Sequence, residues 1–139
     1  MKAISLLMLR IATGLLCLVW GVIRAGKPAV GAVVNAKHYG GILSSTAAQR
    51  AWGAMLIVVG LLVVLGLMRR FSYPLQAVIL CTGALAIWRH LVDPLGMWLL
   101  DHETAQVLFF PSLGMAAATV VLIAFREEDR YALDAKFQA

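Results

Sequence analysis

The stretch Ala51–Met68, which reads AWGAMLIVVGLLVVLGLM, decides the fold because none of its 18 side chains is charged. An α-helix of this length rises about 27 Å, which is close to the roughly 30 Å hydrocarbon core of a bilayer. Apolar runs such as Leu56–Val59 do not alternate with polar residues, as the strands of a membrane barrel would. The stretch therefore predicts a membrane-spanning α-helix.

Comparable apolar segments occur on both sides of this stretch. The complete set of predicted spans is 4–23, 51–68, 73–92 and 106–125. The composition agrees, with 62% hydrophobic and 14% charged residues, whereas a soluble domain has about 45–50% apolar and 25% charged residues. We expect one all-α domain over residues 1–139, an integral membrane four-helix bundle with a long first extracytoplasmic loop. Within that loop, Ala29–Ala36 is apolar enough for a short interfacial or re-entrant segment.

The basic residues predict how the bundle is oriented. An even number of spans puts both termini on one side, and that side carries seven of the twelve Lys and Arg residues. Under the positive-inside rule both termini are cytoplasmic, in a bacterial-type inner membrane. The net charge of +5 then reflects orientation and contact with membrane lipids. Nucleic acid is not an expected partner, because no basic cluster interleaves with aromatic residues.

Glycines predict where the helices approach each other closely. Gly14 and Gly21 are seven residues apart on the first span, and Gly53 and Gly60 have the same spacing on the second. Seven residues make nearly two turns, so each pair marks one stripe, and small residues let membrane helices pack closely. Gly114, followed four residues later by an alanine, is the corresponding candidate on the fourth span.

Aromatic and ionisable residues gather at the predicted outer end. The candidates for contact with a quinone or a lipid headgroup are Trp20, Arg24, Trp88, Arg89, His90 and Asp93. Tryptophan walls suit a quinone ring, an arginine can donate to its carbonyl oxygen, and a histidine can carry its proton. Arg89 and His90 are also close enough along a helix to pair with Asp93. In the alternative interpretation, Arg89 and His90 lie near the interface and snorkel towards it.

Arg10, the tail and the remaining histidines allow fewer functional interpretations. Arg10, inside the first span, either snorkels towards the cytoplasmic interface, which we favour, or pairs inside the bundle. The tail after Arg126 is expected to be a short solvated helix or a frayed end. His38 and His102 fall in loops, so we expect no metal or haem site and no intrinsic cofactor, although a quinone or a lipid remains a candidate ligand. No sequence motif identifies catalytic residues.

The first two spans resemble those of DoxX-like small membrane proteins. The resemblance rests on Leu9–Leu16 with its embedded Arg10, on Trp20-Gly21 followed by a basic residue, and on Trp52–Phe71 with its tight basic turn. It covers about residues 6–86. It implies a four-helix bundle, in a family in which some members are subunits of quinone-linked oxidoreductases and others are linked to redox stress or have no known activity. It transfers no catalytic residue.

Five functions are open at this point. We expect an accessory subunit of a quinone-linked membrane complex, which anchors or stabilises other membrane subunits. The alternatives are a purely structural subunit without a ligand and a stand-alone DoxX-like protein that binds quinone or lipid. A transporter is disfavoured because the middles of the second and fourth spans are almost entirely apolar. A stand-alone enzyme is disfavoured because few groups are left for chemistry.

Overall fold

The computed structural model describes residues 1–99 and 110–137, and every regular element in these two ranges is helical. The helices are α1 (Lys2–Gly26), α2 (Pro28–His38), α3 (Thr46–Leu65), α4 (Arg69–Ala86), α5 (Trp88–Val92), α6 (Pro111–Ala124) and α7 (Leu133–Phe137). A 3₁₀ turn, Arg126–Glu128, connects α6 to α7. The prediction of an all-α chain is confirmed for the described residues.

Helices α1 and α3 have the length and composition of membrane spans. They contain 25 and 20 residues, and both are apolar enough to cross a bilayer. Helix α6 is apolar but has 14 residues, and the start of the predicted fourth span, 106–109, lies outside the described residues. Two of the predicted spans thus correspond to helices that qualify by length and composition.

The third predicted span, 73–92, is not one continuous helix in the structure. Helix α4 begins at Arg69 and ends at Ala86, because Ile87 leaves helical geometry with φ −105° and ψ 23°. The short helix α5 follows and ends at Val92, ahead of the Asp-Pro pair that disfavours helical geometry. The buried His90 of α5 contacts α2, because its ring centroid lies 5.7 Å from that of His38.

Helices α1 and α3 pack antiparallel through the two predicted glycine stripes. A Cβ added at Gly53 would lie 2.7 Å from the carbonyl oxygen of Gly21, and one added at Gly60 would lie 2.8 Å from that of Gly14. Only glycine lets the two backbones come this close. Gly114 is different, because it is exposed and an added Cβ meets nothing within 4 Å among the described residues. The close approach expected at Gly114 is therefore absent from the described part of the chain.

The remaining long helices complete the packing around one core. Helix α4 packs against α3 and α6, and α6 also contacts α1. The core cluster between them consists of Leu6, Val59, Val63, Tyr73 and Leu122. Many polar side chains are also buried between the helices, whereas apolar side chains cover the outside. On α1 the exposed apolar residues are Ile4, Met8, Ile11, Leu15, Val19 and Val22.

The segment between α1 and α3 is partly helical. Lys27 breaks α1 because the residue before a proline disfavours helical geometry, and Pro28 then opens α2. The predicted interfacial or re-entrant segment Ala29–Ala36 lies inside α2. Gly31 is buried in α2 against the side-chain oxygen of Gln49, and an added Cβ would overlap that oxygen. A glycine at this position is what lets α2 settle onto α3.

The tail after Arg126 folds back onto the helices, so the expectation of a solvated or frayed tail is wrong. Asp129 and Ala132 are fully buried. Gly66, in the left-handed region with φ 70°, ends α3 and accepts a 3.1 Å hydrogen bond from the backbone N–H of Asp134. The tail therefore closes the end of the molecule where α1 begins and α3 ends.

Candidate functional site

A cavity of about 410 Å³ lies near the opposite end, where α1 finishes and α3 starts. It is enclosed by α1, α2, α3, α4 and α6, and most of its wall is aliphatic. The aliphatic lining includes Leu16, Val34, Leu56, Ile79, Leu80, Ile87 and Met115. Val78 of α4 also lines it and is 63% exposed, so the cavity reaches the outer surface of α4. Trp20 and Trp52 add aromatic walls.

Arg24 is the charged group of this cavity. Its side chain is only 6% exposed, and its Nη1 donates to Asn35 Oδ1 at 2.9 Å and to Gln49 Oε1 at 2.8 Å. Its guanidinium carbon lies 5.6 Å from the Trp20 ring centroid. We call Arg24, Asn35 and Gln49 the Arg24 cluster. It joins α1, α2 and α3.

The two amides of the Arg24 cluster also hold the loop that precedes α3. Asn35 Nδ2 donates to the carbonyl oxygen of Ile42 at 2.6 Å, and Gln49 Nε2 donates to that of Leu43 at 2.5 Å. Since each amide donates to the loop, its oxygen is left to accept from Arg24. The amides are neutral, and no carboxylate of a described residue lies within 4 Å of the Arg24 guanidinium. Among the described residues, the buried positive charge of Arg24 is thus hydrogen-bonded but has no carboxylate to neutralise it.

Two further polar side chains, His38 and Tyr39, line the cavity from the end of α2. Burial lowers the pKa of His38 below its ordinary value, and electrostatic interactions with His90 and Lys37 lower it further. Burial raises the pKa of Tyr39, and the charge of Arg24 only partly opposes this. At neutral pH, His38 is therefore neutral and Tyr39 keeps its proton. The Tyr39 hydroxyl points across the cavity and would lie 3.5 Å from a Cβ at Gly83.

The sequence-predicted site residues fall into two groups. Trp20 and Arg24 line the cavity. Trp88 and Arg89 are exposed instead, and the Arg89 guanidinium carbon lies 5.7 Å from the Trp88 ring centroid. His90 belongs to neither group. It is buried on α5, and its ring centroid lies 5.7 Å from that of His38, which lines the cavity.

Asp93 holds the loop that follows α5, a role that was not predicted from the sequence. Its carboxylate accepts hydrogen bonds from the backbone N–H groups of Met97, Trp98 and Leu99, at 2.7, 3.0 and 2.7 Å. An ion pair of Asp93 with Arg89, expected from their spacing, is absent from the described ion pairs. The carboxylate instead shapes the loop that follows α5. His102 and the neighbouring acidic residues lie outside the described residues.

Sequence reasoning missed Asn35, Tyr39 and Gln49 as members of the site. Asn35 interrupts an apolar run, and Gln49 lies four residues before Gly53 on the α3 stripe. A polar residue inside an apolar, close-packed stripe is the signal that would have found both amides. Tyr39 carries no such signal, because it follows α2 in a stretch with few apolar neighbours. Among residues 1–99 and 110–137 no group of three metal ligands occurs.

A second buried polar group lies at the other end of α1. Arg10 Nη1 donates to Asp129 Oδ1 and Oδ2 at 3.2 and 3.1 Å, and Tyr73 donates to Asp129 Oδ2 at 2.6 Å. Arg69 Nη1 donates to the carbonyl oxygens of Arg126 and Asp129. We call Arg10, Arg69, Tyr73 and Asp129 the Asp129 cluster. The favoured interpretation of Arg10, snorkelling, is wrong, because Arg10 is 3% exposed and paired inside the fold.

Comparison with known proteins gives no match among family models, curated proteins or solved structures.

Proposed function

We propose that the chain is a small integral membrane protein that binds the headgroup of an isoprenoid quinone beside Arg24. In this proposal it acts as an accessory subunit of a quinone-linked redox complex and stabilises its partner subunits. The observation that carries the proposal is the buried Arg24, which has no carboxylate partner among the described residues and lines a largely apolar cavity. The resemblance of the first two spans to DoxX-like proteins is consistent with it.

The distribution of polar and apolar side chains supports the membrane part of the proposal. Soluble proteins rarely expose contiguous apolar patches above a few hundred Å², yet the outward faces of α1, α3 and α6 are largely apolar. Charged and amide side chains are buried instead, as expected where lipid surrounds the helices. The proposed topology is four spans, formed by α1, α3, α4 and the segment that ends in α6.

The position of the tail supports an even number of spans. Lys2 Nζ lies 2.9 Å from Glu128 Oε2, so the start of α1 and the residues after α6 share one end of the molecule. If α1 and α3 cross the bilayer, both of these segments lie on the same side. The basic residues at that end favour the cytoplasmic side of a bacterial-type inner membrane.

The shape and chemistry of the cavity support the quinone part. A ligand pocket has typically about 300–1,000 Å³ with a few placed polar groups, and this cavity falls within that range at about 410 Å³. Trp20 and Trp52 provide aromatic contact, while Arg24 and Tyr39 are donors for carbonyl oxygens. The opening beside Val78 gives an apolar tail a path into the surrounding lipid.

A binding measurement tests this proposal directly. The purified chain in nanodiscs is titrated with a short-tailed naphthoquinone, and quenching of tryptophan fluorescence is followed, with empty nanodiscs as the blank. We expect saturable binding that Arg24→Gln weakens by about tenfold or more, since a lost hydrogen bond to a charged donor is worth about 1.5–3 kcal/mol. Arg50→Gln, which removes an exposed arginine at the start of α3, is the matched control. Binding that is unsaturable, or equal in both variants, would reject the proposal.

A purely structural subunit is the second candidate function. The observation that favours it is the glycine-mediated contact of α1 with α3, which gives a rigid scaffold without any ligand. Native gels of the detergent-extracted complex separate the two functions. A structural role predicts that Arg24→Gln leaves both the size of the complex and its quinone-linked turnover unchanged, while Gly53→Leu dissociates it. The quinone role predicts that Arg24→Gln lowers turnover at unchanged size.

A further inference from the structure

The charge at the polar end of the cavity has one source. Arg24 has five N–H donors, and the two hydrogen bonds to neutral amides use only Nη1. Its Nε and Nη2 have no hydrogen-bond acceptor among the described residues, while the side chain lines the cavity. His38 is neutral and Tyr39 is protonated at neutral pH, as their shifted pKa values require. Arg24 thus supplies the only permanent charge among the described residues lining the cavity.

A buried cation without an anion is costly. Amide oxygens and the Trp20 ring replace part of the hydration of Arg24, but they carry no net charge, so a partner with negative charge offsets more of the remaining desolvation penalty than a neutral one. Arg10, at the other end of the same helix, has such a partner in Asp129. Arg24 has no such partner among the described residues, and its side chain lines the cavity instead. A ligand that brings a negative charge completes the site better than a neutral ligand of the same shape.

We infer that the cavity selects ligands with a negatively charged oxygen at the polar head and an apolar tail, and that Arg24 is the residue that determines this selection. The inference rests on the proposed function and narrows it to anionic quinone species, such as a deprotonated hydroxyquinone or a semiquinone. Tyr39 donates to the head from the opposite wall, and the tail leaves beside Val78. A fatty carboxylate has the same head chemistry, so the experiment must separate the two sources.

Two probes of nearly equal shape test the inference. A 2-hydroxy-3-alkyl-1,4-naphthoquinone is anionic at neutral pH, whereas its 2-methoxy analogue is neutral. Both are titrated into the chain in nanodiscs of zwitterionic lipid, and the affinities are corrected for partition into empty nanodiscs. We expect the hydroxy probe to bind at least about tenfold more tightly. Equal affinities would overturn the inference while leaving the proposed function intact.

Variants of Arg24 and Arg50 test which residue determines the preference for the anionic probe. The preference should fall to about onefold in Arg24→Gln and persist in Arg24→Lys, which keeps a positive charge, and in Arg50→Gln, which leaves the cavity untouched. Size-exclusion profiles check that each variant is folded. If Arg24→Gln does not fold, the ratio of affinities in the unmodified chain still decides the question. A preference that persists in a folded Arg24→Gln variant would overturn the role of Arg24.

A third probe separates quinone from lipid. A long-chain fatty carboxylate is titrated under the same conditions. If it binds in an Arg24-dependent manner and neither naphthoquinone binds, the quinone assignment is rejected in both proposals. If none of the three probes binds, the cavity is not a binding site for this class and both proposals fail. Binding of the hydroxy probe with little binding of the carboxylate supports both.

Discussion

The two buried arginines of α1 are fourteen residues apart, about 21 Å along the helix, and they are satisfied in opposite ways. Arg10 is neutralised by Asp129 from the tail, which in turn accepts from Tyr73. Arg24 has two neutral amides and the Trp20 ring as its partners among the described residues, and it lines a cavity. The same residue type is thus neutralised by an ion pair at one end of the molecule and has no described carboxylate partner at the other. The two arginines differ in their partners and not in their burial, since Arg10 is 3% exposed and Arg24 is 6% exposed.

The largest expected effect is at the closed end. Arg10→Gln leaves the carboxylate of Asp129 fully buried without a cation, and breaking a buried ion pair in this way costs about 3–5 kcal/mol. Thermal or denaturant unfolding in micelles measures it. The double variant Arg10→Gln, Asp129→Asn removes both charges and should recover a large part of the loss. A single variant as stable as the unmodified chain would show that the ion pair does not hold this end.

The second-largest effect is expected at the glycine contact between α1 and α3, which runs between the two ends of the molecule. Gly53→Ala places a methyl group against backbone atoms, 2.6 Å from the nitrogen of Ala25 and 2.7 Å from the Gly21 carbonyl oxygen. Overpacking of this kind costs about 1–3 kcal/mol. Gly114→Ala is the matched control, since its added methyl group meets open space, and it should be neutral or slightly stabilising. Equal changes in the two unfolding free energies would argue against the close contact.

A smaller change is expected at the open end. Arg24→Gln removes an un-neutralised charge, so the ligand-free chain should change in unfolding free energy by less than about 1 kcal/mol, because the lost hydrogen bonds and the relieved desolvation oppose each other. The same unfolding assay compares it with Arg10→Gln. A loss as large as that of Arg10→Gln would erase the distinction between the two ends. Added ligand should stabilise the unmodified chain more than the variant.

The smallest effect is a pH dependence from His38. Its pKa in the folded chain is below the ordinary 6.5, so the unfolded chain takes up a proton first as the pH falls. The stabilising contribution is complete above about pH 6.5 and is lost as the pH falls through the lowered value. Among the described residues, the charged and titratable groups around His38 include His90, Lys37, Arg24 and Tyr39. In unfolding assays over this range, His38→Asn should flatten the profile, and an unchanged slope would contradict this origin.

Local patterns in the sequence predicted much of α1 and α3, because hydropathy and glycine spacing act within one helix. The glycines of α1 and α3 were recognised from spacing alone, and the structure places them face to face. The apolar segment after Pro28 is likewise helical. These features depend on short-range sterics and on the fit of apolar side chains to lipid, both of which a single sequence reveals.

Local patterns of this kind could not predict contacts between residues that are far apart in the sequence. Asp129 lies 119 residues after Arg10, and nothing in the composition of the tail distinguishes it from the exposed Glu127. The break at Ile87 depends on how α5 packs, not on a proline or a glycine at that position. At the candidate site, Trp20 and Arg24 were found because aromatic and charged residues are conspicuous in an apolar chain. The amides that hold Arg24 were not found, because their role depends on three helices meeting.

The pairing of Arg10 with Asp129 has a consequence for the order of events during synthesis. At about 5–20 residues per second, a ribosome adds Asp129 roughly ten seconds after Arg10. Throughout that interval Arg10 carries a charge whose partner Asp129 has not yet been synthesised, so water or other polar groups near the start of α1 must accommodate it. The end of the molecule that is most firmly closed in the finished protein is therefore the last to form.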